Sequence, residues 1–170
     1  MMRTNVRLYS LTYSESRTFL FAALFVIGNM ALPQLCHLVP NGGLTLLPIY
    51  FFTLIGAYKY GWRVGLLTAI LSPIVNHLLF GMPPSAAMPG LLVKSSLLAV
   101  IAAYAARRFS NVSVGILLGV VLAYQLVGSL AESALIGSLT KGFQDFRIGI
   151  PGMLLQVLGG WAFIKFLLKK

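Results

Sequence analysis

The sequence predicts an all-α integral membrane protein: a compact bundle of six transmembrane helices forming one domain, residues 1–170, with both termini cytoplasmic. Three observations carry the prediction. Of the 170 residues, 58% are hydrophobic and only 9% charged, and the mean hydropathy is +0.89; a soluble domain carries about 25% charged residues. Six apolar stretches alternate with short turns, the fifth longer than and the others at or somewhat below the ~20 residues that a bilayer requires of a helix. The basic residues are also unevenly shared. Arg3, Arg7, Arg17, Lys59, Arg63, Arg107, Arg108, Lys165, Lys169 and Lys170 fall on one side of the spans, and only Lys141 and Arg147, with Lys94 slightly inside the fourth span, on the other. Lys and Arg hold loops in the cytoplasm, which sets the orientation and predicts a multi-pass protein of the cell inner (cytoplasmic) membrane.

A net charge of +10 raises nucleic acid as a partner. The charges sit in short turns between apolar runs, however, so lipid is the expected surroundings and nucleic acid is not. Cys36 is the one cysteine, which excludes an internal disulfide.

Met1 to Arg17 is polar and basic, as in a signal peptide. The run from Phe19 to Leu35 is too long for a signal core and lacks a small-x-small cleavage site, so it is expected to remain as the first helix. The first span is Thr18–Leu35, ended by Pro33, and Pro40-Asn41-Gly42-Gly43 is a turn cluster. The second span, Leu44–Tyr58, is short and carries Pro48 near its start. The aromatic residues Tyr50, Phe51, Phe52, Tyr58, Tyr60 and Trp62 that bracket it read as interface anchors. The third span, Val64–Phe80, is broken near its middle by Pro73, with Asn76 and His77 beyond the break. An uncharged loop, Gly81 to Ser85, leads to the fourth span, Leu91–Ala106, closed by Arg107-Arg108. The fifth, Val112–Leu139, is long, and its last third carries Gly128, Ser129, Glu132, Ser133 and Ser138. A polar loop from Lys141 to Arg147 precedes the sixth span, Ile150–Leu168.

Small residues recur four apart: Ser14, Thr18, Ala22; Gly61, Gly65, Ala69; Ser95, Ala99, Ala103; Gly115, Gly119, Ala123; and, with Gln156 between them, Gly152 and Gly160. Such ridges let helix backbones approach closely in a membrane.

Lys94 and Glu132 are the candidate substrate-binding charges, both in the outer third of the bilayer. A charge within a span costs at least ~2.5 kcal/mol, so it faces the bundle interior or a cavity and finds a partner. Asn76, Gln125 and Gln156 are the candidate amide contacts, since an amide both donates and accepts; Asn29 is a further intramembrane amide. His37, His77, Cys36, Met82 and Met88 lie toward the outer face without a repeating ligand spacing, so no metal or cofactor is expected. No nucleophile stands with a base, carboxylates are too few for paired acid–base work, and there is no phosphate-binding glycine loop. The chain is therefore not expected to be an enzyme.

Leu46-Leu47-Pro48, Gly56-Ala57, Tyr60-Gly61-Trp62-Arg63-Val64-Gly65, Ser72-Pro73 and Leu79-Phe80-Gly81 together resemble the second and third helices of the substrate-binding S component of energy-coupling-factor (ECF) vitamin transporters. The resemblance implies capture of a vitamin or related micronutrient from outside, docking on a transmembrane coupling subunit driven by two ATPase subunits, and release inside by tilting. It also implies a docking Ala-x-x-x-Ala motif on the first helix. Here Val26 follows Ala22 and Ile27 follows Ala23 at that spacing, so the motif is absent as written. Ser14, Thr18 and Ala22 supply small residues instead, and Ala22, Gly65 and Ala69 are the candidate partner-docking residues. Nickel and cobalt members begin Met-His, whereas this chain begins Met1-Met2-Arg3. A rival resemblance is to the rod-shape-determining membrane subunit, a structural scaffold without substrate. Those proteins usually carry an acidic residue where Ser72 and Pro73 stand here, and the intramembrane charges and amides favour a pocket.

Overall fold

The computed structural model describes residues 8–167. Arg3, Arg7, Lys169 and Lys170 of the charge count, the Met1-Met2-Arg3 start and Leu168 lie outside the described residues. All regular structure described is helical. Four helices are long and apolar enough to cross a membrane: α1 (Ser16–Cys36), α4 (Trp62–Phe80), α5 (Met88–Phe109) and α6 (Val114–Ile136). Between and after them lie α2 (Gly42–Leu46), α3 (Phe51–Tyr60), α7 (Leu139–Gly142), α8 (Gln144–Ile148) and α9 (Ile150–Phe166), the last carrying two π-helical turns. The long helices are apolar outside as well as inside. Leu20, Leu24 and Ile27 on α1, and Leu122, Leu126 and Leu130 on α6, are exposed. Helices apolar all round belong in lipid, so the chain reads as an all-α, membrane-embedded protein.

The expected second span is the first departure. It is not one helix from Leu44 to Tyr58 but α2, a left-handed Leu47 (φ 47°), a 3-10 turn Pro48–Tyr50, and then α3. Proline disfavours helical backbone in the residue before it and has no N–H to donate, so the helix cannot run through Leu47. Helix α9 packs directly on this break: a Cβ on Gly152 would stand 2.9 Å from the Leu47 nitrogen.

Short as it is, α3 is the central element. It packs on α1, α4 and α5, and Leu54, Ile55, Ala57 and Tyr58 are fully buried. Four residues expected at the interface, Tyr50, Phe51, Tyr58 and Tyr60, are therefore core. Tyr50 and Tyr58 are at most 1% exposed. Tyr58 donates its hydroxyl to the Asn111 carbonyl at 2.5 Å, and Tyr60 stacks on Phe21 and Tyr9 at 4.0 and 5.7 Å. Ring burial with one hydroxyl satisfied is what a buried tyrosine requires. Lys59, expected in a cytoplasmic turn, is also buried, with Nζ 5.3 Å from the Tyr9 ring.

Pro33 and Pro73 neither end nor break their helices; α1 runs on to Cys36 and α4 to Phe80. A proline within a helix strands the carbonyl four residues before it. Each stranded carbonyl here receives a side chain from the next long helix. The Asn29 carbonyl, freed by Pro33, accepts from Asn76 Nδ2 on α4 at 2.9 Å. The Ala69 carbonyl, freed by Pro73, accepts from Ser95 Oγ on α5 at 2.9 Å. Such outside satisfaction is the condition for proline in a membrane helix.

Helix α6 stops at Ile136 rather than Leu139, because Gly137 takes φ +72° and donates its N–H back to the Ser133 carbonyl at 2.9 Å. The chain then turns back, and α7 and α8 pack along the end of α6. Of the small-residue ridges, Ser95, Ala99 and Ala103 are buried in helix contacts, whereas a Cβ on Gly115 or Gly119 would meet nothing within 4 Å.

One end of the bundle is basic. There Tyr9 N–H pairs with the Lys59 carbonyl at 2.8 Å, Arg63 reaches the Leu11 carbonyl at 3.3 Å, and Arg107 reaches Ser10 Oγ at 2.8 Å. The other end carries the turn after α1, the Gly81 to Ser85 loop and the α7–α8 segment, and it holds a cavity.

Candidate functional site

The cavity, of about 490 Å³, opens among these loops. Its wall combines the end of α1 (Pro33, His37), the turn at Asn41, the helix break from Leu47 to Tyr50, Asn76 on α4, Leu91 on α5, and the carboxylates Glu132 and Asp145. The volume lies within the range of small-molecule sites, about 300–1,000 Å³. The wall is largely apolar, so its few polar groups decide what it holds.

Those groups centre on Lys94. Its side chain is 1% exposed and makes ion pairs with Glu132 of α6 and with Asp145 of α8, the latter at 2.8 Å. Lys94 and Glu132, expected as substrate-binding charges, thus pair with each other as two sides of a three-charge centre. Two glycines make room for it. A Cβ on Gly128 would stand 2.7 Å from Lys94 Cγ, and one on Gly90 would stand 2.5 Å from Glu132 Oε1. Lysine behind and carboxylates in front is the order seen from the cavity: Glu132 and Asp145 line it and Lys94 does not.

Asn76, 2% exposed, faces the carboxylates' cavity from α4. Its Nδ2 donates to the Asn29 and Ser72 carbonyls, both at 2.9 Å. Two acceptors identify that atom as the amine, which leaves Oδ1 as a buried acceptor with no partner among the described residues. Gln156 lies behind the wall. Its Oε1 accepts from Tyr124 at 2.8 Å, and Tyr124 packs on Tyr50 with ring centroids 5.5 Å apart. Gln125 is fully buried away from the cavity wall, and neither of its amide atoms has a partner among the described residues. Asn29 is a structural node: its Nδ2 donates to Thr53 and Ser72 hydroxyls at 3.1 Å, and its Oδ1 accepts from the Phe52 N–H at 3.2 Å.

The structure turns Ala22, Gly65 and Ala69, the candidate docking residues, inward. Ala22 is 2% and Ala69 0% exposed, and a Cβ on Gly65 would come 2.8 Å from Ala57 Cα. The close approach their size permits is made within this chain, α4 against α3 and α5. His77 Nδ1 meets the Pro83 carbonyl at 2.7 Å and so ties the Gly81 to Ser85 loop to α4. Among the described residues no group of three or more His, Cys, Asp and Glu side chains is placed to hold a metal.

Two site residues were not singled out from sequence. Asp145 reads there as part of an outer loop, although its scarcity was a signal, since the chain has only three Asp and Glu in all. Tyr50 reads as an interface anchor, but it lines the cavity with its hydroxyl unpartnered among the described residues.

No family model, curated protein or solved structure matches this chain.

Proposed function

We propose that this chain is the membrane-embedded substrate-binding S component of an ECF-type importer, capturing a vitamin or related micronutrient at the outer face of the inner membrane. A transmembrane coupling subunit and two ATPase subunits complete the importer in this reading. The observation that supports it most is the 490 Å³ cavity, whose largely apolar wall carries two partly exposed carboxylates, Glu132 and Asp145, that share one buried lysine. Two carboxylates on one cation keep acceptor capacity that a ligand can fill. The scaffold reading gives these groups no role.

The reading includes six membrane passes, with α2, the 3-10 turn and α3 together as the second and α9 as the sixth. It also places both termini in the cytoplasm, because the basic end of the bundle then faces inward and the cavity outward. The test is mass spectrometry of small molecules released from the full-length protein purified in detergent. A single compound in stoichiometric amount, whose uptake by cells depends on the coupling subunit, is the expected result. No bound compound, together with no thermal stabilisation by a small-molecule extract of the source cells, would sink the reading.

A further inference from the structure

We infer that the ligand of the cavity is a small organic cation, held by its charged end against Glu132 and Asp145; this rests on the cavity being a substrate site. Two of the three acidic residues in the chain converge on one lysine, so the centre sums to one negative charge. The excess is presented to one side. Glu132 and Asp145 line the cavity and keep 16% and 19% side-chain exposure, while Lys94, at 1%, lies behind them. No Lys or Arg is among the lining residues. An anionic ligand would meet two carboxylates and neither a lysine nor an arginine, a juxtaposition that costs binding energy.

Apart from His37, the other polar side chains of the wall, Gln34, Asn41, Tyr50 and Asn76, are uncharged, so the two carboxylates set its sign. A bare metal ion does not fit this description. The space of about 490 Å³ is many times the ~30 Å³ share of one water, and leucine, isoleucine and prolines make up much of its wall. Such a wall needs an apolar body attached to the charge, as in an amidinium, a quaternary ammonium or a protonated heterocycle.

The experiment uses the full-length protein in detergent and three nearly isosteric probes, benzamidine, benzamide and benzoate, which are cationic, neutral and anionic. Choline with its uncharged carbon analogue 3,3-dimethyl-1-butanol forms a second set, and magnesium and calcium ions a third. Thermal unfolding is followed for each at equal concentration. Stabilisation by benzamidine or choline, absent with their neutral and anionic counterparts and with the metal ions, is the expected result. Asp145→Asn should weaken that binding about tenfold or more, the scale of one charged hydrogen bond. Asp145 lies on short α8, and Lys94 keeps Glu132, so this variant remains folded; Glu132→Gln is the second variant. Stabilisation by benzoate, benzamide or a metal ion in preference to the organic cations overturns the charge assignment and leaves the cavity as a substrate site. So does a neutral or anionic compound released from the purified protein. No stabilisation by any probe and no released compound overturns both.

Discussion

Replacing Lys94 by methionine tests the three-charge centre most directly. Methionine keeps the length and apolar stem and removes the charge, leaving Glu132 and Asp145 near each other with no counter-ion. At an effective dielectric near 20, opposite charges about 3–4 Å apart attract by ~4–6 kcal/mol, against a desolvation cost of several kcal/mol per ion. Removing one partner from a buried pair costs about 3–5 kcal/mol. The carboxylates retain 16% and 19% side-chain exposure, so some water reaches them and the lower end applies, about 3 kcal/mol. In a chain of this size about 1 kcal/mol corresponds to ~2–4 °C in Tm, so Lys94→Met should unfold ~6–12 °C below wild type. Cys36 is the one cysteine and is buried, so a thiol-reactive dye that fluoresces on coupling reports unfolding without further engineering. Adding Glu132→Gln to Lys94→Met still leaves Asp145 unpaired and should restore only part of the loss. The triple change with Asp145→Asn should come within about 3 °C of wild type, since replacing a whole buried ion cluster is often near neutral. Lys94→Met within about 2 °C of wild type would refute the buried pairing, and a double variant as stable as the triple would remove Asp145 from the centre.

The proline repairs predict a coupling: Ser95→Ala should cost about 1 kcal/mol alone and clearly less beside Pro73→Ala, where the helix satisfies the Ala69 carbonyl itself. Denaturant titration of the four proteins measures this, and additive losses would show that the Ser95 contact does not serve the proline. Gly128→Leu should destabilise by about 1–3 kcal/mol by displacing the Lys94 stem, and Gly119→Leu, facing open space, by under about 0.5 kcal/mol in the same titration. For orientation, the exposed Ser85 and Ser110 lie at opposite ends of α5. A membrane-impermeant maleimide on intact cells should label Ser85→Cys and spare Ser110→Cys, and the reverse pattern would invert the topology.

Composition and charge placement are properties of the chain in any conformation, so the membrane setting, the helical class and the basic end were legible in the sequence. Lys94 and Glu132 were legible too, because a charge among apolar residues is costly wherever the helix stands and must find a partner. What the sequence could not disclose were relations between segments distant along the chain. Asp145 joins Lys94 from 51 positions away, brought there because Gly137 ends α6 early and α7–α8 turn back. Tyr50 faces the cavity because Pro48 breaks the second span, and pattern alone cannot distinguish a core aromatic from an interface anchor when both faces of a helix are apolar. Pro33 and Pro73 read locally as stops, yet their helices continue because Asn76 and Ser95 on neighbouring helices supply the missing hydrogen bonds. The same limit applied to Ala22, Gly65 and Ala69: size shows that a close approach is possible, and only packing decides which helix makes it. Local chemistry is written residue by residue, whereas hydrogen-bond and charge partners between helices are set by three-dimensional proximity.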